Sequence, residues 1–236
     1  MRNFKKPLLF SAAMLPVIIP AVVLTAFYQM QLYPADIIAS AINQLGSKTA
    51  LIILSAVQGS LLVAVCCFFG YILADKTGLW IPLYIEKDKL LKALVLSVSA
   101  GLVFSLDYWT FGTCEPLIQS SITGAGLSAA GFGAAVLYGG IVEEILMKLF
   151  LMALIAFILW KLFFRSTPKN KLPDIIFISA NIISALLFAA GHLPATAAAF
   201  GALTPMLLAR CFLLNGIFGL LFGRLYRRYW KQWESR

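Results

Sequence analysis

Two adjacent carboxylates, Glu143 and Glu144, and the cation Lys148 stand inside an otherwise apolar stretch, Tyr138-Gly-Gly-Ile-Val-Glu-Glu-Ile-Leu-Met-Lys-Leu-Phe-Leu-Met152. Each such charge in a membrane-spanning helix costs roughly 2.5–3.5 kcal/mol on insertion scales, so residues kept there against that cost are candidates for function. The one histidine of the chain, His192, closes a second apolar stretch. A carboxylate beside an imidazole in a medium of low dielectric is a water-activating pair, because desolvation makes the carboxylate a stronger general base. The plainer reading is that a glutamate neutralises Lys148 while His192 caps a helix end. Lys148 follows Glu144 at the spacing of an intrahelical ion pair, which reads as structural. Glu143 with His192 is left for chemistry.

The elements that must position this pair are transmembrane helices. The chain has 236 residues, 61% hydrophobic and only 12% charged, which points to an all-α, polytopic membrane bundle. Six apolar stretches reach the roughly 20 residues that a spanning helix needs, at about 8–29, 50–74, 91–110, 131–163, 175–193 and 206–228. No run alternates apolar and polar residues as a barrel strand would. With no internal repeat and no soluble domain in view, residues 1–236 read as a single transmembrane domain. The first stretch is longer than a signal-peptide core of about 7–15 residues, and Pro16 and Pro20 suggest a retained span supported by its neighbours.

The net charge of +9 is distributed rather than clustered. Arg2, Lys5 and Lys6 precede the first stretch, and Lys76, Lys87, Lys89 and Lys92 flank the gap between the second and third. Lys161, Arg165, Lys169 and Lys171 join the fourth and fifth, and Arg224, Arg227, Arg228, Lys231 and Arg236 end the chain. The alternate loops carry little more than Lys48. This is the positive-inside pattern, which predicts both termini in the cytoplasm and basic groups facing lipid heads rather than nucleic acid.

Depth follows from topology. Glu143 lies 18 residues before Lys161, roughly 27 Å at 1.5 Å per residue, and His192 lies 18 residues after Asp174 on the antiparallel neighbour. The two are expected at one level, in the outer half of the bilayer. Asn181, Ser184, Phe188 and His192 share a helix face that should turn toward protein. In the sixth stretch Gly216, Gly219 and Gly223 allow close helix approach, and Asn215 either joins helices or lines a chamber. Arg210 is expected to snorkel or to pair with a carboxylate. Cys66 and Cys67 read as small packing residues, and the four cysteines show no metal or redox spacing. A catalytic zinc needs about three protein ligands, which one histidine does not supply. No serine shares the helix of the glutamates, so a Ser-His relay is weaker still.

Glu143-Glu144-Ile-Leu-Met-Lys148 and Phe188-Ala-Ala-Gly-His192 together resemble the motifs Glu-Glu-x-x-x-Arg and Phe-x-x-x-His of the CAAX-protease and bacteriocin-processing, or Abi-like, family. Gly191-His-Leu-Pro-Ala-Thr196, Leu214-Asn-Gly-Ile-Phe-Gly219 and Phe222-Gly-Arg-Leu-Tyr226 extend the likeness to bacterial members, over residues 131–228. The resemblance implies an intramembrane glutamic endopeptidase of the cell membrane that needs no metal or other cofactor and acts on membrane proteins or peptides. Glu143 would activate water, His192 would polarise it, and Glu144 with the cation at 148 would hold the first carboxylate; Phe188 and Asn215 would support the site. Three departures stand out. Lys148 replaces an arginine whose planar fork clasps two oxygens. The third family motif, His-x-x-x-Asn or Asp, expected to stabilise the oxyanion, has no counterpart after Arg224-Leu-Tyr-Arg-Arg228. Prenyl-protein processing works at the cytosolic face, whereas the chamber is expected outward. An alternative expectation therefore stays open: a catalytically silent relative that binds a membrane partner, as an immunity or regulatory factor.

Overall fold

A computed structural model describes residues 4–80, 87–125 and 128–234. Among these, six helices are long and apolar enough to cross a membrane: Lys5–Leu32, Lys48–Thr77, Leu94–Cys114, Ala129–Phe163, Asp174–Phe200 and Pro205–Arg228. Each contains the corresponding stretch read from hydropathy or overlaps most of it. In hydrocarbon every backbone polar group has to be satisfied within the segment, so apolar runs of this length become helices. The remaining helix of note, Ala35–Leu45, joins the first two spans and buries none of its residues.

Helix ends follow local chemistry. The Ser47, Ser128 and Thr204 side chains accept hydrogen bonds from the amides of Ala50, Gly131 and Leu207, capping the second, fourth and sixth spans. Gly78 ends the second span with φ of 74°, and Gly201 ends the fifth with φ of 76°, both in the left-handed region that favours glycine. The first span stays helical through Pro16 and Pro20 and packs along the second, where the Ser11 hydroxyl donates to the Ala64 carbonyl.

The fourth span is the axis of the bundle: 44% of its apolar window is buried, against 11% for the third. Ile18 and Val22 from the first span, Val63 and Cys67 from the second, and Ile176 and Phe177 from the fifth close around its Val142, Leu149 and Met152. Cys66 is buried beside Cys67, as their reading as packing residues requires. The third span lies at the periphery, and its outermost contacts include a stack of Phe104 on Phe218 with centroids 4.4 Å apart.

Small residues set the tightest approaches. A Cβ at Gly223 would stand 1.7 Å from the Asn181 carboxamide oxygen, and one at Gly219 would stand 3.1 Å from the Ala185 side chain. Asn181 donates to the Leu220 carbonyl at 2.9 Å, so here the fifth and sixth spans are joined by a polar tie through a glycine gap. Ser184 donates to the carbonyl of Asn181 within its own helix. The inner half of the polar face of the fifth span is therefore used for packing.

Between the second and fourth spans, a Cβ at Gly70 would lie 3.0 Å from the Leu149 carbonyl oxygen, a backbone atom that cannot swing aside. Gly101 on the third span has open space around it. Gly70→Ala should destabilise the purified protein by about 1–3 kcal/mol, the usual cost of overpacking. Gly101→Ala should leave stability equal or slightly higher. Thermal melts of the two variants in one detergent check this; equal melting temperatures would contradict the close packing of the fourth span on the second.

Candidate active site

The helix that carries the glutamates is not α-helical throughout. Residues Ala134–Val142 and Ile145–Met152 are wound as π-helix on either side of Glu143 and Glu144, and Phe212–Gly216 in the sixth span is a third such segment. The amide of Glu143 accordingly donates to the carbonyl of Tyr138, five residues back. Short π segments inside α-helices recur at functional sites because the additional residue per turn changes which side chains share a face. Hydropathy cannot reveal this winding; the adjacent Gly139 and Gly140 are the local feature that would have drawn attention to it.

Glu143 faces the fifth span, and its Oε1 lies 3.6 Å from Nε2 of His192. Both side chains are about one-third exposed, His192 at 33% and Glu143 at 29%, and both line the cavity. Nδ1 of His192 lies 2.8 Å from the Phe188 carbonyl. A carbonyl only accepts, so Nδ1 carries the hydrogen, and in the neutral ring Nε2 presents its lone pair to Glu143. Phe188 also packs its ring edge-on against the imidazole, with centroids 4.6 Å apart. The phenylalanine four residues before the histidine thus fixes the imidazole twice, by its carbonyl and by its ring.

The pair borders a cavity of about 1200 Å³ that is also lined by Thr25, Tyr28 and Gln29 of the first span, Tyr138, Arg210 and Asn215. These positions lie toward the spans' ends away from Lys5, Lys161 and Arg228, so the cavity belongs to the end of the bundle opposite the basic loops. Asn215, left between two roles by the sequence, lines the cavity and also donates from its amide nitrogen to the Cys211 carbonyl at 3.1 Å.

Glu144 and Lys148 do not line this cavity. Lys148 is 1% exposed and meets Glu144 at 3.4 Å, an ion contact too long for a good hydrogen bond, and its ammonium also lies 6.0 Å from the centre of the Phe222 ring. The expected i,i+4 pair is present, turned toward the sixth span.

Arg210 pairs with a carboxylate that sequence reasoning had not singled out. Its Nε lies 3.0 and 2.9 Å from the two oxygens of Asp107, and its Nη2 lies 2.6 Å from Oδ2. Asp107 is buried at the end of the third span, so this fork secures that span to the sixth. The signal available in the sequence was an aspartate among apolar residues of a span, the same signal that marked the glutamates.

Among the described residues, no three His, Cys, Asp or Glu side chains come together in a way that could hold a metal ion. The arrangement brings a carboxylate and an imidazole, its Nδ1 held by a backbone carbonyl, together at the wall of a cavity of about 1200 Å³.

Comparison with known proteins agrees with the two motifs. No curated protein and no solved structure matches the chain. A family profile described as type II CAAX prenyl endopeptidase Rce1-like matches residues 125–234, a segment that contains Glu143, Glu144, Phe188, His192 and Asn215. Over that segment, which carries the fourth, fifth and sixth spans and the cavity-lining pair, the chain is similar to the Rce1-like family of CAAX-type membrane proteases.

Proposed function

We propose that the chain is an intramembrane endopeptidase in which Glu143 is the general base and His192 its partner in binding water. The observation that carries this reading is the 3.6 Å approach of Glu143 Oε1 and His192 Nε2 across two neighbouring spans at the wall of the cavity. A carboxylate oxygen and an imidazole lone pair repel unless something donates to both, and a water molecule has one hydrogen for each. Held in this way, the water oxygen keeps its own lone pairs for the scissile carbonyl. Glu143 takes the proton as the C–O bond forms and returns it to the amide nitrogen as the C–N bond breaks. His192 keeps its tautomer throughout because the Phe188 carbonyl holds Nδ1.

Glu144 and Lys148 support the same reading from outside the chamber. Their ion pair neutralises Lys148 in the core and ties the segment just beyond Glu143, which limits the freedom of the base. The cavity position bears on the substrate. If the basic loops face the cytoplasm, the chamber opens toward the outer half of the bilayer, which suits segments of membrane-associated polypeptides presented there better than cytosolic prenylated tails.

Glu143→Gln keeps size and hydrogen bonding but removes the base. Purified in lipid nanodiscs and offered a panel of membrane peptides, this variant should cleave at least about 10²-fold more slowly than the wild-type chain, with unchanged expression and melting temperature. Equal rates would refute the assignment. Cleavage by the wild type should also survive exhaustive dialysis against a strong chelator; loss that a divalent metal restores would replace the carboxylate–imidazole account with a metal-dependent one.

A further inference from the structure

Water attack on a peptide carbonyl leaves a negative oxygen that needs a hydrogen-bond donor, usually a large part of the catalytic effect in acyl transfer. Several polar side chains of the chamber are already committed. Arg210 gives Nε and Nη2 to Asp107, and the Asn215 amide nitrogen contacts the Cys211 carbonyl and sulfur at 3.1 and 3.6 Å. Tyr138 is not committed: it lines the chamber half-buried, and among the described residues its hydroxyl has no hydrogen-bond partner.

Winding of the helix brings Tyr138 to Glu143. At 3.6 residues per turn, residues five apart would point about 140° away from each other. The π segment Ala134–Val142 closes the Tyr138–Glu143 turn with a five-residue hydrogen bond, which returns the two side chains nearly to one side. Tyr138 and Glu143 line the same cavity. Gly139, between them on the cavity wall, leaves room beside the carboxylate: a Cβ added there would make only an ordinary contact, 3.9 Å from Glu143 Oε2.

We propose that Tyr138 is a further catalytic residue, its phenol donating a hydrogen bond to the oxyanion formed when water adds to the scissile carbonyl beside Glu143. The proposal rests on the peptidase reading above. In the step itself, the water oxygen bonds to the carbonyl carbon, its proton passes to Glu143, and the π electrons of the carbonyl move onto the oxygen that Tyr138 contacts. Collapse restores the carbonyl, expels the amine with the proton from Glu143, and leaves a carboxylic acid. Tyr138 keeps its proton from start to finish, so it balances charge without entering the stoichiometry. Its ring packs against the core of the bundle, which holds the hydroxyl in place before substrate arrives.

A donor used only in the transition state lowers kcat and leaves KM nearly unchanged when removed. Tyr138→Phe keeps the ring and should reduce kcat by about 10²–10³-fold, the usual loss for one oxyanion donor. The same variant should bind a phosphinic peptide, whose tetrahedral anion imitates the intermediate, correspondingly more weakly, while binding of the uncleaved parent peptide measured in a Glu143→Gln background stays as it was. Wild-type kcat in Tyr138→Phe, beside an inactive Glu143→Gln, would overturn the role of Tyr138 and leave the peptidase reading standing. A wild-type chain that cleaves nothing and shows no preference for the phosphinic peptide over its parent would overturn both. Should Tyr138→Phe fail to fold, a fluorinated tyrosine incorporated at position 138 changes the acidity of the phenol with little change in volume. A shifted kcat at constant KM is then expected, and an unshifted one refutes the proposal.

Discussion

Charge must be cancelled inside a solvent that cannot hydrate it, and the architecture of this bundle follows from how its few ionised groups find one another. Asp107 meets Arg210 and joins the third span to the sixth. Asp174 meets Arg227, whose guanidinium also lies over Phe177, and joins the fifth to the sixth at the basic end. Lys148, almost wholly buried, is tolerated because Glu144 stands one turn away. Glu143 and His192 join the fourth span to the fifth. The four pairs differ in how closely they approach. The fork between Arg210 and Asp107 closes to 2.6 Å, the approach of groups that need nothing between them. Glu143 and His192 stop at 3.6 Å, with both side chains on the cavity wall. The same electrostatic demand therefore yields structural ion pairs in three places and a carboxylate–imidazole pair at the cavity in a fourth.

Much of this was legible in the residues. Six spans could be delimited because lipid imposes a length on apolar runs and gathers basic residues at one side, and these signals are strong in a chain of 61% hydrophobic residues. The level of Glu143 with His192 could be counted from Lys161 and Asp174, since antiparallel helices of similar rise keep step over 18 residues. The pairing of Glu144 with Lys148 depends on a local spacing and could be read directly. The partner of Arg210 could not, because Asp107 lies 103 residues away and its approach depends on how the peripheral third span settles on the sixth. Equally hidden was the division of labour between two neighbouring glutamates: adjacency fixes an angle between them, and only the packing of the fourth span decides which one looks into the chamber.

Helical winding enters that packing. The fourth span has two obligations at once, to press Leu149 and Met152 into the second and fifth spans and to present Tyr138, Gly139 and Glu143 to the cavity. A continuous α-helix advances each residue by a fixed angle, so satisfying the packing face leaves Tyr138 and Glu143 pointing well apart. The π segments on either side of Glu143 and Glu144 separate the two faces from that fixed relation. Gly70 helps from the opposite side. Having no side chain, it lets the second span approach the Leu149 carbonyl within the π segment, so the rewound backbone is packed against rather than left exposed to lipid. A π segment bonds less favourably than an α-helix, and one that persists in a core position needs its neighbours to hold it. The bundle therefore supports its chamber mainly through the backbone of one helix, and mutations at Gly70 or Leu149 bear on Glu143 even though neither residue lines the cavity.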